Sequence, residues 1–180
     1  MPTVRGKEIE ILFNVEEIAK SNLEIATGIA AKKHKNPLVI AVLKGSFIFA
    51  SDLIRALHEV AVEPEVDFLS LSSYGAGTTA GKVRILRDIE TDVSGRPVIL
   101  IDDILESGNT LKFARDLMLE RGASTVEIAV LLDKHSKRKA DISADYVGFD
   151  CPDYFVVGYG MDVGHAFREL PYVGVVKGDA

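Results

Sequence analysis

The chain has 180 residues, 47% of them hydrophobic and 27% charged, enough for one domain with a full core. Its 27 acidic residues outnumber 21 basic ones and give a net charge of −6, which argues against nucleic acid or an anionic membrane as a general partner and requires any anion site to be local. The single cysteine, Cys151, excludes an intrachain disulfide; no apolar run approaches the roughly 18 residues of a membrane span, and MPTVRGKEIEILF lacks a signal-peptide core, so a cytoplasmic location is expected.

In chain order, Ile9 to Phe13 reads as a short strand. Asn14 with Glu17 three residues on predicts a capping box, opening a helix that should run to about Lys35, with Ile18, Ile25, Ala26 and Ile29 as its apolar stripe. Lys32, Lys33 and Lys35 suit the negative end of that helix, and Asn36-Pro37 closes it. Leu38 to Leu43 is continuously apolar, the pattern of a strand buried on both faces. A tight Lys44-Gly45-Ser46 turn leads into a second helix with Phe47, Ala50, Leu53, Ile54 and Leu57 along one side. Val66 to Leu71 and Val83 to Leu86 read as strands flanking Ser72–Lys82, a segment rich in Gly, Ser and Thr and expected to be mobile.

The stretch Val98 to Leu111, VILIDDILESGNTL, carries the most chemistry. Four apolar residues form a buried strand, Asp102 and Asp103 follow, and Ser107-Gly108-Asn109-Thr110 precedes a helical pattern of Leu111, Ala114, Leu117 and Met118. A helix start leaves backbone N–H groups unpaired, small polar side chains add donors, and Gly108 lets the backbone approach a ligand, a combination suited to a phosphate monoester. Two carboxylates do not suit an anion, but they accept hydrogen bonds from hydroxyls, so a ribose carrying a 5′-phosphate would satisfy both halves. Gly122 ends this helix, Val126 to Leu132 is a further strand, and Tyr146 to Phe149 and Phe155 to Val157 are short extended pieces. The alternation predicts an α/β fold: a parallel twisted sheet with helices on both faces, its core over about 37–140, with the chain ends (about 1–36 and 141–180) forming a small hood. In such a sheet the ligand lies beyond the carboxyl ends of the strands, where Lys44, Asp102, Asp103 and Lys134 are expected to converge.

The fourteen-residue stretch resembles the phosphoribosyl-pyrophosphate (PRPP) motif of the type I phosphoribosyltransferases, in particular the hypoxanthine-guanine branch, and the resemblance extends over most of the chain. It implies transfer of the 5-phosphoribosyl group from PRPP to hypoxanthine or guanine, giving IMP or GMP and pyrophosphate, by an enzyme active as a homodimer or homotetramer. It implies that Lys44 and Gly45 hold pyrophosphate in a loop with a non-proline cis peptide after Leu43, that Ser73 and Tyr74 belong to a lid, and that Ser107, Gly108, Asn109 and Thr110 bind the 5′-phosphate. Asp102 and Asp103 would hold the ribose hydroxyls, Arg168 the pyrophosphate, Lys134 the O6 carbonyl of the purine, and Phe155 its face, with backbone near Val156 at its edge. Asp162 would bind Mg2+ beside the purine. Where the family commonly has a purine-facing aspartate this chain has Glu106, one methylene longer, as the candidate general base.

Taken singly, these residues have plainer readings: Lys44 as a surface lysine, Lys134 as part of a basic loop with His135, Lys137, Arg138 and Lys139, Phe155 as core, Asp162 as loop. The histidines (His34, His58, His135 and His165) show no metal spacing, and magnesium would be held mainly by hard oxygens of substrate and water. A rival within the same fold is a regulatory protein that binds PRPP or nucleotides and acts on RNA, against which the net acidity argues. No Gly-x-Gly-x-x-Gly or Gly-x4-Gly-Lys-Ser/Thr is present, which sets aside dinucleotide oxidoreductases and P-loop NTPases.

Overall fold

The computed structural model describes residues 1–74 and 82–177, with only the backbone of residues 73, 74 and 82. Its strands are β1 (Thr3–Val4), β2 (Lys7–Phe13), β3 (Leu38–Leu43), β4 (Glu65–Tyr74), β5 (Lys82–Arg87), β6 (Pro97–Leu105), β7 (Thr125–Asp133), β8 (Tyr146–Asp150), β9 (Val156–Val157) and β10 (Val173–Val176). The helices are α1 (Val15–Ala31), α2 (Phe47–Glu59) and α3 (Asn109–Glu120), with a single 3-10 turn at His135–Lys137.

Six strands form the central sheet in the order β5-β4-β3-β6-β7-β8, parallel except for the antiparallel edge strand β5. The continuous apolar runs resolve into two faces because successive side chains alternate across a strand. Val39, Ala41, Ile99, Ile101, Ala129 and Leu131 pack with α1 and α2 on one face. Leu38, Ile40, Val42, Val98, Leu100, Ile128 and Val130 pack with Leu111, Ala114 and Met118 of α3 on the other. A second, four-stranded antiparallel sheet, β1-β2-β10-β9, joins the two chain ends into a hood with its own apolar cluster of Ile9, Val157, Phe167, Leu170 and Val176. β8 lies after residue 140 yet pairs with β7 in the central sheet. Among the described residues no helix is long and apolar enough to cross a membrane.

The Asn14–Glu17 capping box forms in both directions. The helix it opens ends at Ala31, four residues short of the expected Lys35, because Lys33 adopts φ +53° and turns the chain. Lys33 and Lys35 therefore lie beyond the helix and cannot serve its last turn. In α2 the fully buried aromatic is Phe49; Phe47, expected on the apolar side, is 42% exposed. The valine-rich VGVV of β10 is only four residues long and is interrupted by Gly174; it forms its strand between β2 and β9.

Candidate active site

β6 continues through both aspartates rather than stopping before them. Its pairing with β3 ends at Ile101, while its pairing with β7 runs on to Leu105. Asp102 and Asp103 thus lie between β7 and the turn that follows β3. That turn contains a cis peptide between Leu43 and Lys44, as the resemblance implied. Ser46 is buried, its Oγ donating to the Val42 carbonyl, while Lys44 is exposed and lines neither of the two cavities described below. A Cβ at Gly45 would lie 1.9 Å from Asp103 Oδ2, and one at Gly160 2.2 Å from the Gly45 carbonyl oxygen. Strand end, turn and hood are therefore in contact through glycine.

The aspartates are not solvated strand ends. Asp102 is buried, its Oδ1 accepting the Asp103 amide, and Asp103 Oδ1 accepts the amide of Ile104. Burial pushes the Asp102 carboxyl well above the usual carboxylate range, and the neighbouring Asp103 charge adds to the shift. Burial also raises Asp103, partly opposed by its hydrogen bond with Asp102 and by the Arg168 charge.

Downstream, Gly108 is the N-cap of α3 at φ +82° and brings no side chain to cap the helix; Asn109 N donates to Ser107 Oγ at 3.4 Å, and the helix start borders the space lined by Ser107, Gly108 and Thr110. A Cβ at Gly108 would lie 2.6 Å from Ile142 Cγ2, so both conformation and space require glycine. The carbonyls in front of the helix are engaged elsewhere. Leu105 O accepts the Lys134 amide at 2.9 Å, and Ser107 O accepts the amides of Lys139 and Ala140 at 2.9 and 3.0 Å. Arg138 donates to Glu106 O at 3.0 Å and Ile142 O at 2.7 Å, and pairs with the buried Asp133 carboxylate. Acceptor oxygens are thereby kept off an arriving anion. The resulting cavity, about 640 Å³, is lined by Asp102, Asp103, Glu106, Ser107, Gly108 and Thr110 among others.

A second cavity of about 570 Å³ shares Asp103, Ile104, Glu106 and Lys137 with the first and adds Lys134, Phe155, Val156, Met161 and Asp162. Lys134 is only 4% exposed, so it is no surface lysine; its Nζ lies 3.7 Å from Glu106 Oε1. Phe155 is 66% exposed and therefore not core, whereas Val156 is buried in β9. Asp162 pairs with Arg168 at 2.8 Å and accepts the His165 amide at 2.7 Å, and Arg168 also donates to the Gly160 carbonyl at 2.6 Å. Among the described residues no three His, Cys, Asp or Glu side chains converge as a metal cage. The expected lid tip, 75–81, lies outside the described residues; Ser73 and Tyr74 are the last two residues of β4, paired with β5 through the backbone.

Sequence reasoning missed Asp133 and Arg138, the pair that pins the turn after β6, and Asp153, which pairs with Lys137 at the edge of the second cavity. The only signal for Arg138 was a run of charges, and Asp153 stands alone between Pro152 and Tyr154.

Residues 9–163 match the model of the phosphoribosyl transferase domain, and the chain belongs to that family. Two curated relatives, from Streptococcus agalactiae and Bacillus subtilis, are named hypoxanthine-guanine phosphoribosyltransferase. They are 43% and 44% identical to this chain over 170 residues, 93% of each protein. The crystal structure of a Staphylococcus aureus hypoxanthine phosphoribosyltransferase superposes with a TM-score of 0.87 at 40% identity, covering 93% of this chain and 91% of that one.

Proposed function

We propose that this protein transfers the 5-phosphoribosyl group of PRPP to N9 of hypoxanthine or guanine, releasing pyrophosphate and giving IMP or GMP, as a cytoplasmic enzyme of purine salvage. The observation that carries this is the pair of cavities sharing the wall Asp103-Ile104-Glu106: one faced by a helix N-terminus, the other by a buried lysine and an exposed aromatic ring. A phosphoribosyl group fits the first, a purine the second, and the bond between them would form at the wall.

In this reading Ser107, Gly108, Asn109 and Thr110 take the 5′-phosphate. Lys44, the Gly45 backbone and Arg168 take the pyrophosphate. Asp102 and Asp103 accept hydrogen bonds from the ribose hydroxyls and stabilise the positive charge that develops as the C1′–O bond breaks. O6 and N7 lie on one edge of a purine. Lys134 donates to O6, and Glu106, 3.7 Å away, accepts the N7 proton as the bond to N9 forms. A donor at O6 accepts hypoxanthine and guanine and disfavours adenine, whose 6-amino group is itself a donor. Phe155 stacks on the base, with backbone near Val156 at its edge.

The donor set suits Mg2+. Asp162 and Asp103 offer hard carboxylate oxygens to one cavity without forming a cage, as expected for an ion that arrives with most of its ligands on substrate and water. Asp162 would hold it, and bound magnesium offsets charge on the departing pyrophosphate. We also propose self-association into a homodimer or homotetramer. Exposed Val15 and Leu23 of α1 border an apolar groove that reaches Ile48 of α2 and Leu170 of the hood. The RNA-directed reading draws no support from the named relatives.

A panel of hypoxanthine, guanine and adenine with PRPP and magnesium tests the reading. IMP and GMP should form and AMP should not. No nucleotide from either oxopurine would sink it.

A further inference from the structure

Lys137 ends the short turn after β7 and lines both cavities. Its Nζ lies 3.0 Å from Asp153 Oδ1 and 3.7 Å from Glu106 Oε1. Glu106 Oε1 is also 3.7 Å from Lys134 Nζ. A row of alternating charge, Lys134–Glu106–Lys137–Asp153, therefore crosses the purine cavity from its buried floor to the loop that carries Phe155. We infer that Lys137 is a positioning residue that sets purine affinity, tying the Phe155 loop to the phosphate loop and holding the Glu106 carboxylate between two ammonium groups.

Two features require such a tie. Phe155 is exposed, so core packing does not fix the loop that presents it. From Cys151 to Tyr154 the loop's backbone bonds are Cys151 N to Asp133 O at 2.8 Å and Tyr154 N to Pro152 O at 2.7 Å, the second of them internal to the loop. Glu106 has one more rotatable bond than the aspartate usual at this place, and a second cation narrows where its longer side chain settles. Asp153 holds the Lys137 ammonium above the ordinary lysine range, in keeping with a formed pair. In the free protein the pair is half-exposed, 54% and 46%, where ion pairs contribute little. A purine seated against Phe155 would cover it and lower the local dielectric, so the pair strengthens when the base is bound. Its effect belongs to purine binding rather than to the fold.

The inference rests on the transferase reading, and one set of assays separates the two. Wild type, Lys137→Ala, Lys137→Arg, Asp153→Asn and the Lys137→Ala/Asp153→Asn double variant are assayed with guanine, PRPP and magnesium. Lys137→Ala should raise the guanine KM about three- to tenfold, with kcat falling by less than the guanine KM rises, while the PRPP KM stays within about twofold. Lys137→Arg should restore the guanine KM, and Asp153→Asn should raise it less than Lys137→Ala, since the Glu106 contact survives. The double variant should be no worse than about twofold beyond Lys137→Ala, because both changes remove one interaction. An unchanged guanine KM in Lys137→Ala, an equal rise in the PRPP KM, failure of arginine to restore, or fully additive effects in the double variant would overturn the inference. Should Lys137→Ala disturb folding, Asp153→Asn probes the same pair from its other side, and an unchanged guanine KM there overturns the inference equally. A wild type that forms no nucleotide overturns the transferase reading instead.

Discussion

The cavity proposed for the phosphate and the cavity proposed for the purine share a wall and are built from different material. The phosphate side is mostly backbone. Gly45 and Gly108 sit where a single added carbon would collide, and Arg138 and the 134–140 segment hold the carbonyls of Leu105, Glu106 and Ser107. The purine side is mostly side chain: the Phe155 ring, with Lys134, Glu106, Lys137 and Asp153 joined by ion pairs at 3.0–3.7 Å. Backbone contacts fix geometry and accept little substitution. Side-chain walls can be altered one group at a time, so in this molecule binding of the phosphoribosyl half should be all-or-none and recognition of the base graded.

Substitutions at four positions sharpen or break that contrast. The largest effect is expected at Glu106. Glu106→Gln removes the proton acceptor and should slow the forward single-turnover step about 10²–10⁴-fold with PRPP affinity unchanged, while Glu106→Asp keeps substantial activity. A Gln variant within about threefold of wild type would take the proton from Glu106 and give it to water or another acid. Next comes Gly45→Ala, whose Cβ would lie 1.9 Å from Asp103 Oδ2. Turn and carboxylate must part by roughly an ångström, enough to lower kcat/KM about 10²-fold. A mild, graded loss there would erase the contrast between the two sides. Smaller again, Lys134→Gln removes a charged donor from a buried acceptor and should weaken purine binding by about 1–3 kcal/mol, read as a higher KM for hypoxanthine and guanine. PRPP affinity should hold; if it falls, Lys134 serves the phosphate side.

The smallest effect is one of stability. The Asp102 carboxyl is raised above the ordinary value of 3.8 by burial, so the fold binds its proton more tightly than the unfolded chain does. Stability from that proton is present below 3.8 and is lost as pH rises through the raised folded value. Asp102→Asn should therefore melt above wild type at neutral pH, with the gap closing as pH falls towards 3.8, while kcat drops. Melting curves at two pH values decide it: a gap independent of pH would mean the gain is not a matter of ionisation.

The same contrast explains what the sequence could reveal. Strands β3, β6 and β7 were legible because a strand buried on both faces must be apolar throughout, and the capping box at Asn14 is a local device that needs no tertiary partner. The start of α3 was legible for a similar reason, since small polar residues and a glycine ahead of an apolar helical pattern mark a helix N-terminus locally. The end of α1 was not, because nothing in the run of lysines announces that Lys33 takes φ +53°. Nor were the roles of Lys137 and Arg138. Arg138 finds Glu106 O and Asp133, and Lys137 finds Asp153, only once β7 and the hood are in place. Until then both are members of a basic loop. The plainer reading of Phe155 as core failed in the opposite direction, since an aromatic beside two valines suggests core, yet β9 begins one residue later and leaves it outside.

The contact between Gly160 and the Gly45 carbonyl acts as a mechanical stop. Hood and sheet approach until main chain meets main chain, so the height of the gap between them is gauged by peptide units rather than by whichever side chains line it. A methyl group at position 160 would act as a shim: carried at φ +99° and 2.2 Å from the Gly45 carbonyl oxygen, it would push hood and turn apart and displace the Gly160 carbonyl to which Arg168 donates.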